Sequence, residues 1–342
     1  MSDFVSVFGC IGAVIGAGFV SGREVVFFFS QYGVHSWWLI AIAVFTMVAL
    51  CDFLMRHGKK AAGLICGIEA KNNLVFSRIL ICFILIVLAG AMTSAAGEMI
   101  HLVIPLRYAY PAGLAGSLCV AWLLSKGNMK PFSVISIILT ALFLVMTILA
   151  MRSSGEEPGR EQLVLAVAPS VKELVKAGIF AFGYGAMNIA VSMGFMCQNG
   201  CACTVKTDRR AMGFGIGMCG LLFFSNALYL MRPEKINSAF PIVELFSAYG
   251  RGGYLLCVLL LYLAILTTLI ALVQSLRSGL ERTVPMKNSR VLLLFAAILL
   301  VSQFGFSGLV SRAYAPMGIL CFLTVFFPLQ IRIAKENKEK HY

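Results

Sequence analysis

Charged residues are scarce in this chain of 342 residues. They account for 13% of the sequence, whereas hydrophobic residues account for 60% and the mean hydropathy is +0.90. Because soluble proteins carry about 25% charged residues, a chain this apolar could not cover its surface in water. The long hydrophobic runs also lack the alternation of polar and apolar residues that membrane strands show. The composition therefore predicts an all-α membrane protein.

Clusters typical of catalytic or metal sites are also lacking. The four histidines stand far apart, at positions 35, 57, 101 and 341, and the eleven cysteines form no disulfide pattern. Most of these cysteines lie inside apolar runs, where the thiol behaves as a small hydrophobe. No enzyme and no cofactor are therefore expected, although a membrane-embedded sensor or an enzyme of unknown chemistry stays open as an alternative.

The net charge of +13 comes from basic residues that are dispersed among short loops. Most of them fall in loops on one side of the predicted membrane, as the positive-inside rule requires of cytoplasmic loops. We expect a multi-pass protein of the cell membrane with both termini in the cytoplasm and no nucleic-acid partner. The start of the sequence, Met1-Ser2-Asp3, has no basic region, so a cleavable signal peptide is not expected.

The apolar runs predict ten membrane-spanning helices, because a bilayer core about 30 Å thick requires roughly 20 helical residues. Their predicted bounds are 4–32, 37–55, 78–104, 110–125, 131–151, 172–197, 209–231, 252–280, 290–304 and 309–331. The shorter apolar stretch Ile242–Tyr249 is interpreted as a helix lying on the outer surface.

The chain is predicted to form a single transmembrane domain, residues 1–342, built from two repeats. The first repeat covers about 4–151 and the second about 172–331, with an outer linker at 152–171 and a cytoplasmic tail at 332–342. Because each repeat has an odd number of helices, the second enters the membrane in the opposite direction, which makes a 5+5 inverted repeat.

Glycines cluster at corresponding positions of the two repeats, at Gly16–Gly18 in the first span and Gly183–Gly185 in the sixth. Each glycine costs about 1 kcal/mol relative to alanine in a helix interior, so the clusters require a reason. One interpretation is close helix packing through small residues. The other is unwound backbone, whose free N–H and C=O groups would bind a ligand or an ion. The matching positions favour the second interpretation.

The segment IGAGFVSGRE, from Ile15 to Glu24, resembles the first span of YkvI-like amino-acid permeases. These are LeuT-fold secondary transporters of the amino acid–polyamine–cation superfamily. The resemblance implies ten helices in a 5+5 inverted repeat, with helices 1 and 6 unwound in the middle of the membrane. It also implies cation-coupled uptake of an amino acid or a similar small zwitterion by alternating access, with sodium or a proton as the coupling ion.

The eighth predicted span is similar to the A-x-x-[ST]-[ST] pattern of sodium-coupled symporters, through Ala264, Thr267 and Thr268. The resemblance implies that these residues and the carbonyls of Gly12 and Ile15 hold a sodium ion, and oxygen ligands of this kind suit a hard cation. The alternative is that the two hydroxyls donate to the preceding turn of their own helix.

The resemblance also implies a substrate between the two breaks. Its carboxylate would face the amides near Ala17 and Gly18, and its amine would donate to the backbone around Phe182–Gly185. Tyr184 would line the side-chain pocket, while Asn188 would bind the substrate or cap a half-helix. The implied substrate-binding residues are Gly16, Ala17, Gly18, Phe182, Gly183, Tyr184, Gly185 and Asn188.

Three charged residues, Arg23, Glu24 and Glu98, lie inside predicted spans, where a charge is costly and usually functional. Arg312 stands at the outer start of the tenth span. We expect an outer gate in which Arg23 pairs with Glu98 or Glu24, because the span-10 residue is itself basic. Either glutamate is alternatively a proton-coupling carboxylate.

Overall fold

The computed structural model describes residues 3–66, 75–126, 130–152, 169–198, 204–231, 238–281, 288–331 and 333. Within these ranges the chain is helical and contains no strand. Most of the predicted outer linker and of the predicted cytoplasmic tail lies outside the described residues.

The α-helices are numbered in chain order. Their bounds are α1 Asp3–Val14, α2 Ala17–Val20, α3 Arg23–Phe28, α4 Ser36–Cys66, α5 Val75–Val103, α6 Ala109–Leu124, α7 Lys130–Arg152, α8 Val171–Gln198, α9 Thr204–Leu230, α10 Pro241–Ser247, α11 Gly250–Glu281, α12 Asn288–Ser302, α13 Phe306–Arg312 and α14 Tyr314–Cys321. A 3₁₀ helix, Ser30–His35, joins α3 to α4, and a π-helical segment, Phe322–Phe326, follows α14.

The first predicted span is interrupted twice. At the first interruption, Ile15–Gly16, the Gly16 N–H donates to the Val14 carbonyl at 2.8 Å, whereas an unbroken helix would pair it with Gly12. At the second, Gly22 has a φ of +81°, a left-handed conformation that glycine adopts without a steric penalty. Ala17 and Gly18, which were predicted to be unwound, instead belong to α2.

The sixth predicted span, in contrast, is one continuous helix, α8. The predicted break at Gly183–Gly185 is therefore not found, and the packing interpretation explains these glycines. A Cβ on Gly183 would lie 2.5 Å from the Ala315 carbonyl oxygen, and one on Gly185 would lie 2.7 Å from the Ala43 carbonyl oxygen. Glycine lets α8 approach the backbones of α14 and α4 more closely than any side chain would allow.

Six helices of the described residues are long and apolar enough to cross a membrane. Their bounds are Ser30–His57, Ile79–Val103, Val171–Met193, Lys206–Leu230, Gly250–Arg277 and Tyr314–Ile331. A seventh is obtained if α12 and α13, which are bent by 83° at Gly305, form one span. The helix α6 is apolar but shorter. The number ten therefore stays a prediction, while the membrane-spanning helical fold is established.

The helices pack in two groups that bring corresponding members of the two predicted repeats together. In one group, α4 packs against α8 and α9, and α1 packs against the same two helices. In the other, α5 packs against α6, α11 and α12. The short helix α2 contacts α11, so the interrupted first span lies at the boundary between the two groups.

Candidate substrate and ion site at the interrupted first helix

The first interruption lies against α11. A Cβ on Gly16 would be 3.6 Å from Thr268 Cγ2 and 3.8 Å from Thr268 Oγ1, which is ordinary van der Waals contact. The structure thus brings together two of the segments that were predicted to share an ion. The Gly12 carbonyl lies one turn before the interruption, and the amide that would normally bond it is directed to Val14 instead.

Both threonine hydroxyls donate to the same carbonyl. Thr267 Oγ1 and Thr268 Oγ1 each lie 2.9 Å from the Ala264 carbonyl oxygen, which is the back-bonded arrangement weighed as the alternative to a cation site. A donating hydroxyl keeps lone pairs on its oxygen. The observed bonds are therefore compatible with a cation approaching from the side of Gly16.

Glu24 lies over the glycine of α2. Its side chain is buried, with 5% of the residue exposed, and its carboxyl packs on Gly18 so closely that a Cβ there would lie 2.6 Å from Glu24 Cδ. Gly18 therefore makes room for a carboxyl group. Because Gly18 belongs to a helix, it is not needed to interrupt the chain. The contact with Glu24 explains why this position is a glycine.

Tyr184 reaches this carboxyl from α8. Its ring packs on Phe28 and Phe29, with centroid distances of 4.8 and 5.3 Å, and its hydroxyl lies near Glu24. The hydroxyl is buried and forms no hydrogen bond of normal geometry with any described residue. Tyr314, which is also buried, approaches Glu24 from the start of α14. The Glu24 carboxyl and two buried tyrosines thus lie in the same region of the protein, beside α2.

The side chains of two predicted substrate residues, Phe182 and Asn188, contact other parts of the protein. Residues two apart on a helix point about 200° apart, so Phe182 lies on the face of α8 opposite Tyr184. The Phe182 ring packs edge-on against Phe322 and borders an open apolar groove of about 610 Å³ with Trp38 and Ile319. Asn188 Nδ2 donates to the Tyr184 carbonyl at 2.9 Å, within its own helix. The role predicted for Phe182 concerned its backbone carbonyl, which the direction of its side chain does not test, so that role stays a prediction.

The charged residues of the predicted outer gate face different neighbours. Arg23 donates from Nη1 to the Ser238 carbonyl at 3.2 Å. The Glu98 carboxyl accepts from the Ser94 hydroxyl at 3.4 Å and faces the backbone N–H of Phe306, at the start of α13. Arg312 is exposed at the opposite end of α13. A pairing of Arg23 with either glutamate therefore stays a prediction.

Helix α10 contacts the second interruption of the first span. The Ile242 N–H donates to the Ser21 carbonyl at 3.3 Å, and the Ser21 hydroxyl donates to the Gly18 carbonyl at 2.7 Å. Helix α10 confirms the helix expected around Ile242–Tyr249, although it begins one residue earlier and is shorter. Ser21 and Tyr314 were not among the predicted site residues. A polar residue within an otherwise apolar run was the available signal for both.

Comparison with solved structures shows the class of fold, that of helical membrane proteins of the LeuT type. The structure superposes on the inward-facing conformation of Mhp1 with a TM-score of 0.64 and 14% identity, over 93% of this chain and 72% of that chain. It superposes on a mutant of the Eremococcus coleocola manganese transporter with a TM-score of 0.66 and 12% identity, over 95% and 78% of the two chains. At these identities the likeness shows a shared fold, and the second of the two proteins is by its name a transporter.

Comparison of the sequence with curated proteins finds one particular relative. The chain is 22% identical over 321 residues to the membrane protein YkvI of Bacillus subtilis (strain 168), and the match covers 90% of each chain. No family model matches the chain. The predicted resemblance to YkvI and to LeuT-fold proteins is confirmed.

Proposed function

We propose that this chain is a secondary active transporter that takes up an amino acid or a similar small zwitterion. Uptake is coupled to a cation and proceeds by alternating access across the cell membrane, with both chain termini in the cytoplasm. The fold supports this proposal because two solved transporters share it. The observation that carries it is the interruption of the first span at the boundary between the two helix groups.

That interruption gives the proposal its physical basis. Backbone groups at membrane depth need partners, because lipid offers no hydrogen bonds. Where a helix stops and restarts inside a protein, a bound ion or a small polar molecule can supply those partners. The position of α2 against α11 means that a bound ligand would contact both helix groups. Its binding can therefore change how the groups sit against each other.

The coupling ion in this proposal is sodium. Its ligands would be the carbonyls of Gly12, Ile15 and Ala264 and the hydroxyls of Thr267 and Thr268, an all-oxygen set of the kind that hard cations prefer. The contact of Thr268 with Gly16 supports this assignment, as does the missing helical partner of the Gly12 carbonyl. A proton is the second candidate, since Glu24 and Glu98 are both acids within predicted spans and Glu24 is buried.

Uptake into proteoliposomes tests the proposal. Purified protein is reconstituted, and a panel of labelled amino acids is added with an inward sodium gradient, with an inward proton gradient, or with neither. We expect accumulation of at least one zwitterion that requires one of the gradients and collapses when an ionophore dissipates it. If every zwitterion fails to accumulate under all three conditions, the proposal is refuted.

A further inference from the structure

The continuity of α8 leaves the substrate's amino group without its expected acceptors. The resemblance assigns that role to backbone carbonyls around Phe182–Gly185, but these carbonyls lie within an unbroken helix. The Tyr184 carbonyl already accepts an additional hydrogen bond from Asn188. A carbonyl engaged in this way has little capacity left for an ammonium group, which needs up to three acceptors. Another acceptor must therefore serve.

Glu24 is placed to take over that role. Its carboxyl packs directly on Gly18, one of the two residues whose amides the resemblance assigns to the substrate's carboxylate. Two carboxylates would repel each other at this place. The position is therefore unsuited to an anionic group and suited to a cationic one.

The described part of the chain supplies no positive charge that pairs with Glu24. No ion pair joins Glu24 to a residue that the structure describes. A buried carboxylate without a counter-charge is costly, and in a membrane protein such a residue usually marks a functional site. The buried Tyr184 hydroxyl lies beside this carboxyl and forms no hydrogen bond of normal geometry with a described residue, so its oxygen can also accept from a bound ammonium group.

We propose, building on the transport function above, that Glu24 binds the ammonium group of the substrate, so that the site selects primary amines and does not require a carboxylate. Glu24 provides the charge, and Tyr184 provides a hydroxyl oxygen beside it. Gly18 is the positioning residue, because only a residue without a Cβ lets the carboxyl reach this place. The substrates are amino acids and the amines that correspond to them without the carboxylate.

Three matched sets of probes test this substrate class. Each contains an amino acid, its decarboxylated amine and its deaminated acid: alanine, ethylamine and propionate; leucine, 3-methylbutylamine and 4-methylpentanoate; phenylalanine, phenethylamine and 3-phenylpropionate. Binding is measured as the rise in unfolding temperature of the detergent-solubilised full chain, since a ligand that binds only the folded state stabilises it. Uptake into proteoliposomes is measured in parallel.

In at least one set, we expect the amine to bind within about tenfold of the amino acid and the acid not to bind. Glu24→Gln should weaken binding of both by about tenfold or more, as expected when a charge-assisted hydrogen bond is lost. Gly18→Ala should produce the same loss, because it displaces the carboxyl while keeping its charge. The control is Glu173→Gln, since Glu173 is exposed at the start of α8 and accepts from Ser170, a bond that glutamine preserves.

The possible failures can be told apart. If wild-type protein takes up zwitterions but binds the acids and not the amines, or if Glu24→Gln keeps its affinity for the amines, this inference is overturned and the proposed transport stands. If amines bind but no zwitterion is taken up, the inference stands and the proposed uptake of zwitterions falls. If none of the nine compounds binds the wild-type protein while another amino acid of the uptake panel accumulates, this inference is overturned and the proposed transport stands.

Discussion

The first and sixth predicted spans carry similar glycine clusters, yet the first is broken into α1, α2 and α3 and the sixth is the single helix α8. The difference lies in what each glycine faces. Gly183 faces the backbone of α14, whereas Gly16 faces a side chain, that of Thr268, at an ordinary contact distance. Glycine in a membrane helix therefore has two opposite uses. It can let a second helix come close, or it can let its own helix end.

Among glycine-to-alanine substitutions, the largest loss of stability is expected where α8 packs against α14. A Cβ on Gly318 would lie 2.8 Å from the Gly183 carbonyl carbon and 2.9 Å from the Met187 nitrogen, and backbone atoms cannot rotate away as a side chain can. Gly318→Ala should therefore lower the free energy of unfolding by about 3 kcal/mol, the upper part of the usual range for overpacking. The measurement is thermal unfolding of the purified protein in detergent.

The matched control for this variant is Gly220→Ala in α9. No described atom lies within 4 Å of a Cβ placed on Gly220, so the added methyl group meets open space. Alanine favours a helix interior over glycine by about 1 kcal/mol, and this variant should be as stable as the wild type or more stable. Equal losses in the two variants would contradict the close packing of α14 on α8 at Gly318 and Gly183.

A smaller loss of stability is expected from a substitution at the second interruption of the first span. Gly22→Ala would force a side chain into the left-handed region at a φ of +81° and against the buried Tyr229 ring, whose Cε2 would lie 3.0 Å from the new Cβ. We expect a loss of about 2 kcal/mol from the two causes together.

Gly250 separates these two causes. It has a similar φ of +75°, but no described atom lies within 4 Å of its added Cβ. Gly250→Ala should therefore show the backbone cost alone, about 1 kcal/mol. If both variants unfold at the same temperature, the contact with Tyr229 contributes nothing, and the second interruption depends on backbone conformation only.

The first interruption is tested through the ion it is proposed to bind. Thr268→Val keeps the shape of the side chain and removes the hydroxyl, so the sodium concentration that supports half-maximal uptake should rise by about tenfold. Thr147→Val in α7 is the control, because Thr147 is buried and its hydroxyl donates to the Phe143 carbonyl at 2.9 Å in the same back-bonded way. An unchanged sodium dependence in Thr268→Val would remove the cation site.

The contrast between the two spans also shows what the sequence can and cannot predict. Hydrophobic runs predicted the helical membrane fold, because the need to satisfy backbone groups in lipid leaves few other structures. The motif that ends in Arg23 and Glu24 predicted the resemblance to YkvI, which the comparison confirms. These features are local, or follow from composition, and a single chain contains them.

The features that the sequence could not predict depend on neighbours that are distant along the chain. Whether Gly183 breaks α8 or packs it depends on Ala315 and Gly318, more than 130 positions away, and the local pattern is the same in both cases. Helical phase, in contrast, was available from the sequence, since it alone separates Phe182 from Tyr184 on α8.

The smallest loss of stability is expected at Gly16. This substitution tests most directly whether the first and sixth predicted spans use glycine differently. Gly16 is not among the described glycines with a positive φ, and an added Cβ would meet only Thr268, at 3.6 and 3.8 Å. Gly16→Ala should therefore change the free energy of unfolding by no more than about 0.5 kcal/mol. Gly183→Ala, in contrast, should lower it by about 2 kcal/mol, because the new Cβ would lie 2.5 Å from the Ala315 carbonyl oxygen. Thermal unfolding of the two variants side by side measures the difference. If Gly16→Ala is as destabilising as Gly183→Ala, then the glycine at the interruption also serves close packing, and the two spans do not use glycine differently.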